Sequence, residues 1–448
     1  MNRTSNAATR AIGFGLDNLP RIARGMGSYL FDTEGRRYLD GSGGPAAFSI
    51  GHGNSEVNAA IVAQLAQVAC AYRYLFTSDA LEGLTELILR NCGRDDFAHI
   101  VYCCSGSEAV ESALKVALQY WNARGMGSKQ RFIARERSYH GNTLGALSVS
   151  GFAERRRPFE RSLLDVAFVS AANAYRPAAG VAAAELVSYL ARELEECIQR
   201  LGPEQVAAFI FEPVVGAAAG VVPAPPGYAA AVREVCERHD VLLIADEVMC
   251  GSGRCGTWRA LEHDAIRPDI MAVAKGLAGG YIPLGATILR KEIGDTIIAA
   301  HSSILTGFTY SGHTAACAAG LAVQRIIERE GLLPRVRAAG EALRSALRES
   351  LERFEEVGDV RGRGFLIGIE FVRDRVSKAP FPRERAVSHT IARRAFHNGL
   401  IVYPCAGHVG GVMGDTIIVA PPYNATDAEL AELVTRLELA VAQSLASP

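Results

Sequence analysis

An excess of charge of either sign is missing from this chain: 47 lysines and arginines face 48 aspartates and glutamates, for a formal net charge of -1. That balance offers no handle for nucleic acid or for an anionic membrane surface. Long apolar runs are missing too. None reaches the ~20 residues that a bilayer-spanning helix needs. The opening stretch, residues 1 to 10, is polar and lacks the apolar centre of a signal peptide. Ten cysteines are scattered without a Cys-x-x-Cys pair, so reduced and mostly buried thiols are expected. Cys103 and Cys104 fall on a predicted strand, where alternation sends them to opposite faces as core filler. Internal repeats are absent. No G-x-x-x-x-G-K-[ST] and no G-x-G-x-x-G stands between a strand and a helix. What these absences leave is a cytoplasmic enzyme of ordinary globular composition, 49% hydrophobic and 21% charged. Its 448 residues exceed what one core serves and predict a larger and a smaller domain.

What is present centres on Val241 to Val248. An unbroken apolar run ending in Asp246 reads as a buried parallel strand with a carboxylate at its C-terminal end. Open α/β sheets place ligands at such ends. About thirty residues later, one βαβ unit's worth, a second apolar run from Asp269 ends in Lys275. A fixed negative charge and a lone amine at neighbouring strand ends suit pyridoxal phosphate. The amine forms the Schiff base, and the acid keeps the ring nitrogen protonated. Taken singly, Asp246 is as well read as a helix N-cap and Lys275 as a solvated side chain.

Along the chain, residues 1 to about 27 form a loosely patterned arm, and Gly27 to Asp40 reads as a hairpin. Gly41 to Gly53 is glycine-rich, either a linker or a loop that approaches a ligand closely. Asn54 to Ala71 is helical, with Val57, Ile61, Leu65 and Val68 on one face. A strand from His99 to Cys104 leads through Ser105-Gly106-Ser107-Glu108 into a helix, which can bind phosphate at its N-terminus or simply carry a capping box. A strand at 131–134 precedes a loop with Tyr139 and His140, either of which suits a planar cofactor or a plain turn. Residues 153 to 180 show little pattern, and Arg155-Arg156-Arg157 reads as a solvated basic face. Strands and helices alternate from about 95 to 290, which predicts a mostly parallel sheet covered on both faces. Later come two strands around Arg361 to Gly364, strands at 400–403 and 416–420, and long helices. These predict an α+β C-terminal domain. The expected division is 1–60 for the arm and part of the small domain, 61–325 for the large domain, and 326–448 for the C-terminal small domain.

Six motifs fall in order: Ser-Gly-Ser-Glu-Ala at 105–109, Tyr-His-Gly at 139–141, Glu-Pro at 212–213, Asp-Glu-Val at 246–248, Ala-Lys-Gly at 274–276 and Gly-Phe-Thr-Tyr-Ser-Gly-His at 307–313. With them the chain resembles, over nearly its whole length, the class III aminotransferases, pyridoxal-phosphate enzymes of fold type I that include the ω-transaminases. The resemblance implies a large domain with a mostly parallel seven-stranded sheet and a smaller α+β domain. It implies Lys275 as the Schiff-base lysine and proton carrier, and Asp246 as partner of the pyridine nitrogen. Ser105, Gly106 and Ser107 would cradle the phosphate. Tyr139 would stack on the ring beside His140, Val248 would pack on the opposite face, and Glu212 would lie near Asp246. Thr309 would reach the phosphate of a neighbouring subunit, so the site would be shared across a homodimer. The implied reaction is ping-pong transfer of an amino group from an amine or ω-amino acid to pyruvate or 2-oxoglutarate.

Two departures stand out. Gly44-Pro45-Ala46-Ala47 occupies the place of an aromatic common among ω-transaminases, which leaves the pocket wider or shaped by Phe48 or Tyr74. Residues 402 to 423 hold no Lys or Arg, although relatives bind the acceptor's carboxylate with an arginine there. His408 or Arg254 are candidate replacements. The scaffold also suits amino-acid epimerases and amino-lyases, while a binding protein without chemistry would leave Lys275 idle.

Overall fold

The computed structural model describes residues 19–178 and 180–446. Its centre is a seven-stranded sheet in the order Phe97–Cys103, Gly285–Arg290, Ile270–Val273, Leu242–Asp246, Val206–Phe211, Arg131–Arg135, Val166–Val169. Only Gly285–Arg290 runs against the others. The strand Leu242–Asp246 shows why its sequence is an unbroken apolar run. Leu242 and Ile244 face the core under the helix Gly106–Ala123. Leu243 and Ala245 face the core under the helices Leu186–Leu201 and Tyr228–Arg238. Side chains alternate between faces, and here both faces are dry.

The smaller domain is built on an antiparallel sheet ordered Val357–Arg363, Leu366–Phe371, Met413–Val419, Tyr403–Val409. Helices Leu332–Leu351, Val387–His397 and Asp427–Leu445 supply much of its core. The last of these starts on a capping box, Thr426 with Glu429. The predicted hairpin is present as Tyr29–Asp32 and Arg37–Asp40. Leu400–Ile401 then pairs in parallel with Arg37–Asp40, joining an early and a late segment of the chain.

The structure departs from the sequence reading in short elements. A strand, Ile22–Met26, lies inside the supposed arm, and an edge strand, Val166–Val169, lies inside the unpatterned stretch. The single strand expected at 400–403 is cut at Val402, with Leu400–Ile401 in one sheet and Tyr403–Val409 in another. The helix from Ser55 stops at Gln67, and of its apolar face only Val57 is buried. Leu65 is 50% and Val68 42% exposed. The Gly41–Gly53 loop contains one helical turn, Gly43–Ala46, broken by non-helical Gly44 and Pro45.

A guanidinium joins the domains. Buried Arg254 donates to the carbonyls of Phe365 at 3.2 Å, Pro421 at 2.6 Å, Ala46 at 3.4 Å and Phe48 at 3.4 Å. It also lies 4.6 Å from the Tyr423 ring centroid.

Candidate active site

Asp246 ends the central strand with both neighbouring strands parallel to it, and it is 3% exposed. An isolated carboxylate there is costly unless it is bound. It is bound twice: by His140 Nδ1 at 2.7 Å from Oδ2, and by the Val248 N–H, which donates to Oδ1 at 3.0 Å. The fully buried His140 is held in turn by its backbone N–H on Ser150 Oγ at 2.8 Å, and its Nε2 has no partner.

Glu212 closes the next strand, Val206–Phe211. Its two oxygens accept the N–H groups of Tyr139 at 2.9 Å and Gly216 at 3.0 Å. Burial raises its proton affinity; His140 lowers it and the nearby Asp246 raises it further. Glu212 thereby places the Tyr139 backbone next to His140. The half-buried Tyr139 ring packs against a small cluster of Phe152, Val215, Ala218, Ala219 and Val222.

The strand Phe97–Cys103 feeds the helix Gly106–Ala123, whose N-cap is Ser105, accepting from the Glu108 N–H at 3.2 Å. The expected capping box is shifted by one residue, because Glu108 accepts from the Cys104 N–H at 2.6 Å. Among the described residues the Gly106 and Ser107 N–H groups have no acceptor. Ser107 Oγ accepts from the Asn142 N–H at 3.0 Å, which leaves its own proton free to donate. Gly106 sits against Val248: a Cβ at 106 would fall 2.7 Å from a Val248 methyl. The serine loop and the Asp-Glu-Val segment are therefore in contact.

Lys275 follows the strand Ile270–Val273. Its backbone is left-handed at φ 43°, a strained conformation for a side chain-bearing residue. Its turn is clamped: Ser49 Oγ at 3.2 Å and Gln324 Nε2 at 3.3 Å both donate to the Gly276 carbonyl. The Lys275 amine makes no hydrogen bond or ion pair with a described residue. Burial pulls its proton affinity below the lysine norm, against the opposing charges of Asp246 and Glu212. The ammonium form is thus disfavoured without being neutralised by a direct partner.

The structure brings Asp246, His140, Glu212, Tyr139, Val248, Ser105, Gly106, Ser107 and Lys275 to one end of the sheet. Thr309 is not joined to them. It is exposed, in a segment anchored by Ser311 Oγ on the Tyr102 carbonyl at 2.8 Å. Phe48 is wedged so that a Cβ on Gly44 or Gly280 would strike its ring, whereas Tyr74 is 84% exposed. Arg254 and His408 do not supply a free cation. The first is committed to carbonyls, and the second is buried 3.4 Å from Glu370. The basic run is a solvated face only at Arg157, which is exposed. Arg156 donates to the Ser148 and Ser150 carbonyls, and Arg155 stacks on Tyr139. The aromatics at 139 and 152 were the only signal for this in the sequence.

The donor set fits pyridoxal phosphate. Two unspent helix-terminal N–H groups with two serine hydroxyls suit a phosphate. A buried carboxylate suits a ring nitrogen, and an unpartnered amine suits the aldehyde. Fold and site together define a pyridoxal-phosphate-dependent enzyme of fold type I. The family model described as aminotransferase class-III matches residues 16–441, and the chain belongs to the class III aminotransferases. It is 41% identical to an uncharacterized aminotransferase, YodT, of Bacillus subtilis, over 93% of each chain. It is 35% identical to a diaminobutyrate–2-oxoglutarate transaminase of Halomonas elongata, over 98% of this chain and 94% of that one. Its fold is similar to that of a PLP-bound amine transaminase from an uncultivated Pseudomonas species, with a TM-score of 0.92 and 36% identity over 98% of this chain and 100% of that one.

Proposed function

We propose that this aminotransferase moves an amino group from an amine or ω-amino acid to a keto acid, pyruvate or 2-oxoglutarate, in two half-reactions of a ping-pong cycle. The observation that carries the reading is the pair at adjacent strand ends: Asp246 locked by His140 at 2.7 Å, and Lys275 half-buried without a hydrogen-bonded partner among the described residues. When bound, the cofactor supplies a cationic ring that stabilises negative charge on the substrate carbon. The Asp246 carboxylate would keep a proton at the ring nitrogen, and His140 holds that carboxylate in place. Lys275 Nζ, its proton affinity lowered by burial, would take the proton from the substrate carbon and pass it on. The N–H groups and hydroxyls of Ser105, Gly106 and Ser107 hold the phosphate. Tyr139, set by Glu212, would flank the ring, and Val248 would pack on the opposite face.

The assembly that suits this reading is a homodimer. Leu65, Tyr74, Leu75 and Phe76 are 50–84% exposed, as are Leu305 at 67% and Tyr310 at 58%. The two stretches adjoin, since Thr314 Oγ1 donates to the Val68 and Ala69 carbonyls. An apolar patch of this kind marks an interaction surface. Exposed Thr309 lies within it, where it can complete the phosphate site of a second copy.

The test is the purified holoenzyme with an amine panel and pyruvate or 2-oxoglutarate. Ketone or aldehyde accumulating with alanine or glutamate is the expected result, and Lys275→Ala abolishes it. Racemised or eliminated substrate without a new amino acid would overturn the reading.

A further inference from the structure

An acceptor acid brings a carboxylate that must meet a cation, yet residues 402 to 423 hold no Lys or Arg. Arg254 and His408 are both committed elsewhere. We propose that Arg155 binds the carboxylate of the acceptor acid, an assignment that rests on the amino-transfer reading above. Arg155 stands on the short helical turn Ala153–Arg156, and its guanidinium carbon lies 5.0 Å from the Tyr139 ring centroid and 5.3 Å from that of Phe152. Tyr139 is fixed at the site by its N–H on Glu212 and precedes His140, which holds Asp246. The guanidinium therefore borders the aromatic that borders the reacting centre.

Arg155 also faces the strand Tyr403–Val409, part of the stretch that lacks a cation of its own. Burial raises the proton affinity of the Tyr403 hydroxyl, and Arg155 counters that rise. It acts likewise on the buried Cys405 thiol. A charge from one segment thus stands beside a strand that has none.

Its neighbours differ from it in what they hold. Arg156 is spent on two carbonyls, and Arg361 and Arg176 share the carboxylate of Glu370, both at 2.6 Å. Arg155 has no carboxylate partner among the described residues. A half-buried guanidinium on aromatic faces is partly stripped of water, and its planar fork matches a carboxylate in two parallel hydrogen bonds. Stacking on Tyr139 and Phe152 restricts its motion, so less freedom is lost when the acid arrives.

The experiment titrates the cofactor-loaded protein with glutarate and propionate, acceptor chains without the keto group, and with glutaramide and propionamide as uncharged controls. The visible absorbance of the bound cofactor reports occupancy. The wild type is expected to prefer each acid to its amide. In Arg155→Gln that preference falls at least tenfold, and in Arg155→Lys, which keeps the charge but not the fork, it falls less. A wild type without the preference, or a Gln variant that keeps it, overturns the assignment. So does an equal loss for acid and amide, which would mean that Arg155 only props Tyr139. If Arg155→Gln fails to take up cofactor, Arg155→Lys carries the test, and a full wild-type preference in it together with unchanged pH dependence overturns the assignment. Carboxylate binding that depends on position 155 in a protein with no amino-transfer activity would sink the proposed function alone. Amino transfer with a preference indifferent to position 155 would sink this inference alone.

Discussion

Glu247 adjoins Asp246 in the chain and lives in a different environment. It points away from the site and accepts the N–H groups of Leu261, at 3.0 Å, and Ala260. Those bonds favour its anion, but burial outweighs them and raises its pKa from 4.5 to about 7. The unfolded carboxyl loses its proton near 4.5 and the folded one near 7, so between those values the folded chain holds more protons. Stability from this group is therefore greatest below that window and falls as pH rises through it, by about 3 kcal/mol in all. Glu247→Gln keeps an acceptor oxygen without a titrating proton. Its unfolding midpoint should gain on the wild type as pH climbs from 4.5 to 7, and a gap that ignores pH would refute this. Asp246→Asn probes the opposite case, a buried carboxylate whose charge is used. The variant should still take up cofactor, seen by its visible absorbance, while turnover falls roughly 100-fold or more. At this scale the sequence was most legible where chemistry and position coincide. Asp246 and Lys275 stand out because an acid and an amine each close an apolar run. Arg155 did not stand out, because a basic triplet in an unpatterned stretch looks like solvated surface until Tyr139 and Phe152 are seen folded onto it.

Elements with long periodic patterns were readable. The helices Leu186–Leu201 and Asp427–Leu445 and the buried strand Leu242–Asp246 fall where their apolar spacing puts them. Short edge strands such as Val166–Val169 were not, because four residues carry no period and the pairing partner, Arg131–Arg135, lies more than thirty residues away. The division of residues 400–409 between two sheets was hidden for a related reason, since which strand pairs with which is decided by tertiary contacts. One element junction rests on a single side chain. Buried Lys129 donates to the carbonyls of Pro203 and Asp240 at 2.8 Å, Val206 at 3.2 Å and His239 at 3.5 Å. It thereby joins the loops that precede two central strands. Lys129→Met leaves buried acceptors unsatisfied and should cost about 2–4 kcal/mol, read as a lower urea midpoint. A midpoint equal to wild type would show that other donors replace the ammonium.

For the whole molecule, periodicity showed that the helix Ser55–Gln67 has an apolar face without saying what covers it, and in the structure that face is partly exposed. The proposed homodimer would cover that face and the stretch 303–312 with a second copy. The holoenzyme should sediment at about twice 47.8 kDa. On that proposal, replacing Tyr74 and Leu305 together by Glu should yield monomers that lose cofactor on dialysis, since the phosphate site would lack the second copy's Thr309. A dimer that persists would place the interface elsewhere.

Arg254 ties the carbonyls of Ala46 and Phe48 to those of Phe365 and Pro421. Anyone who randomises residues 44–48 to admit bulkier amines will therefore also disturb backbone that Arg254 bonds. Gains in substrate scope from such libraries should arrive with a lower unfolding midpoint, unless selection restores the lost contact at a distant position.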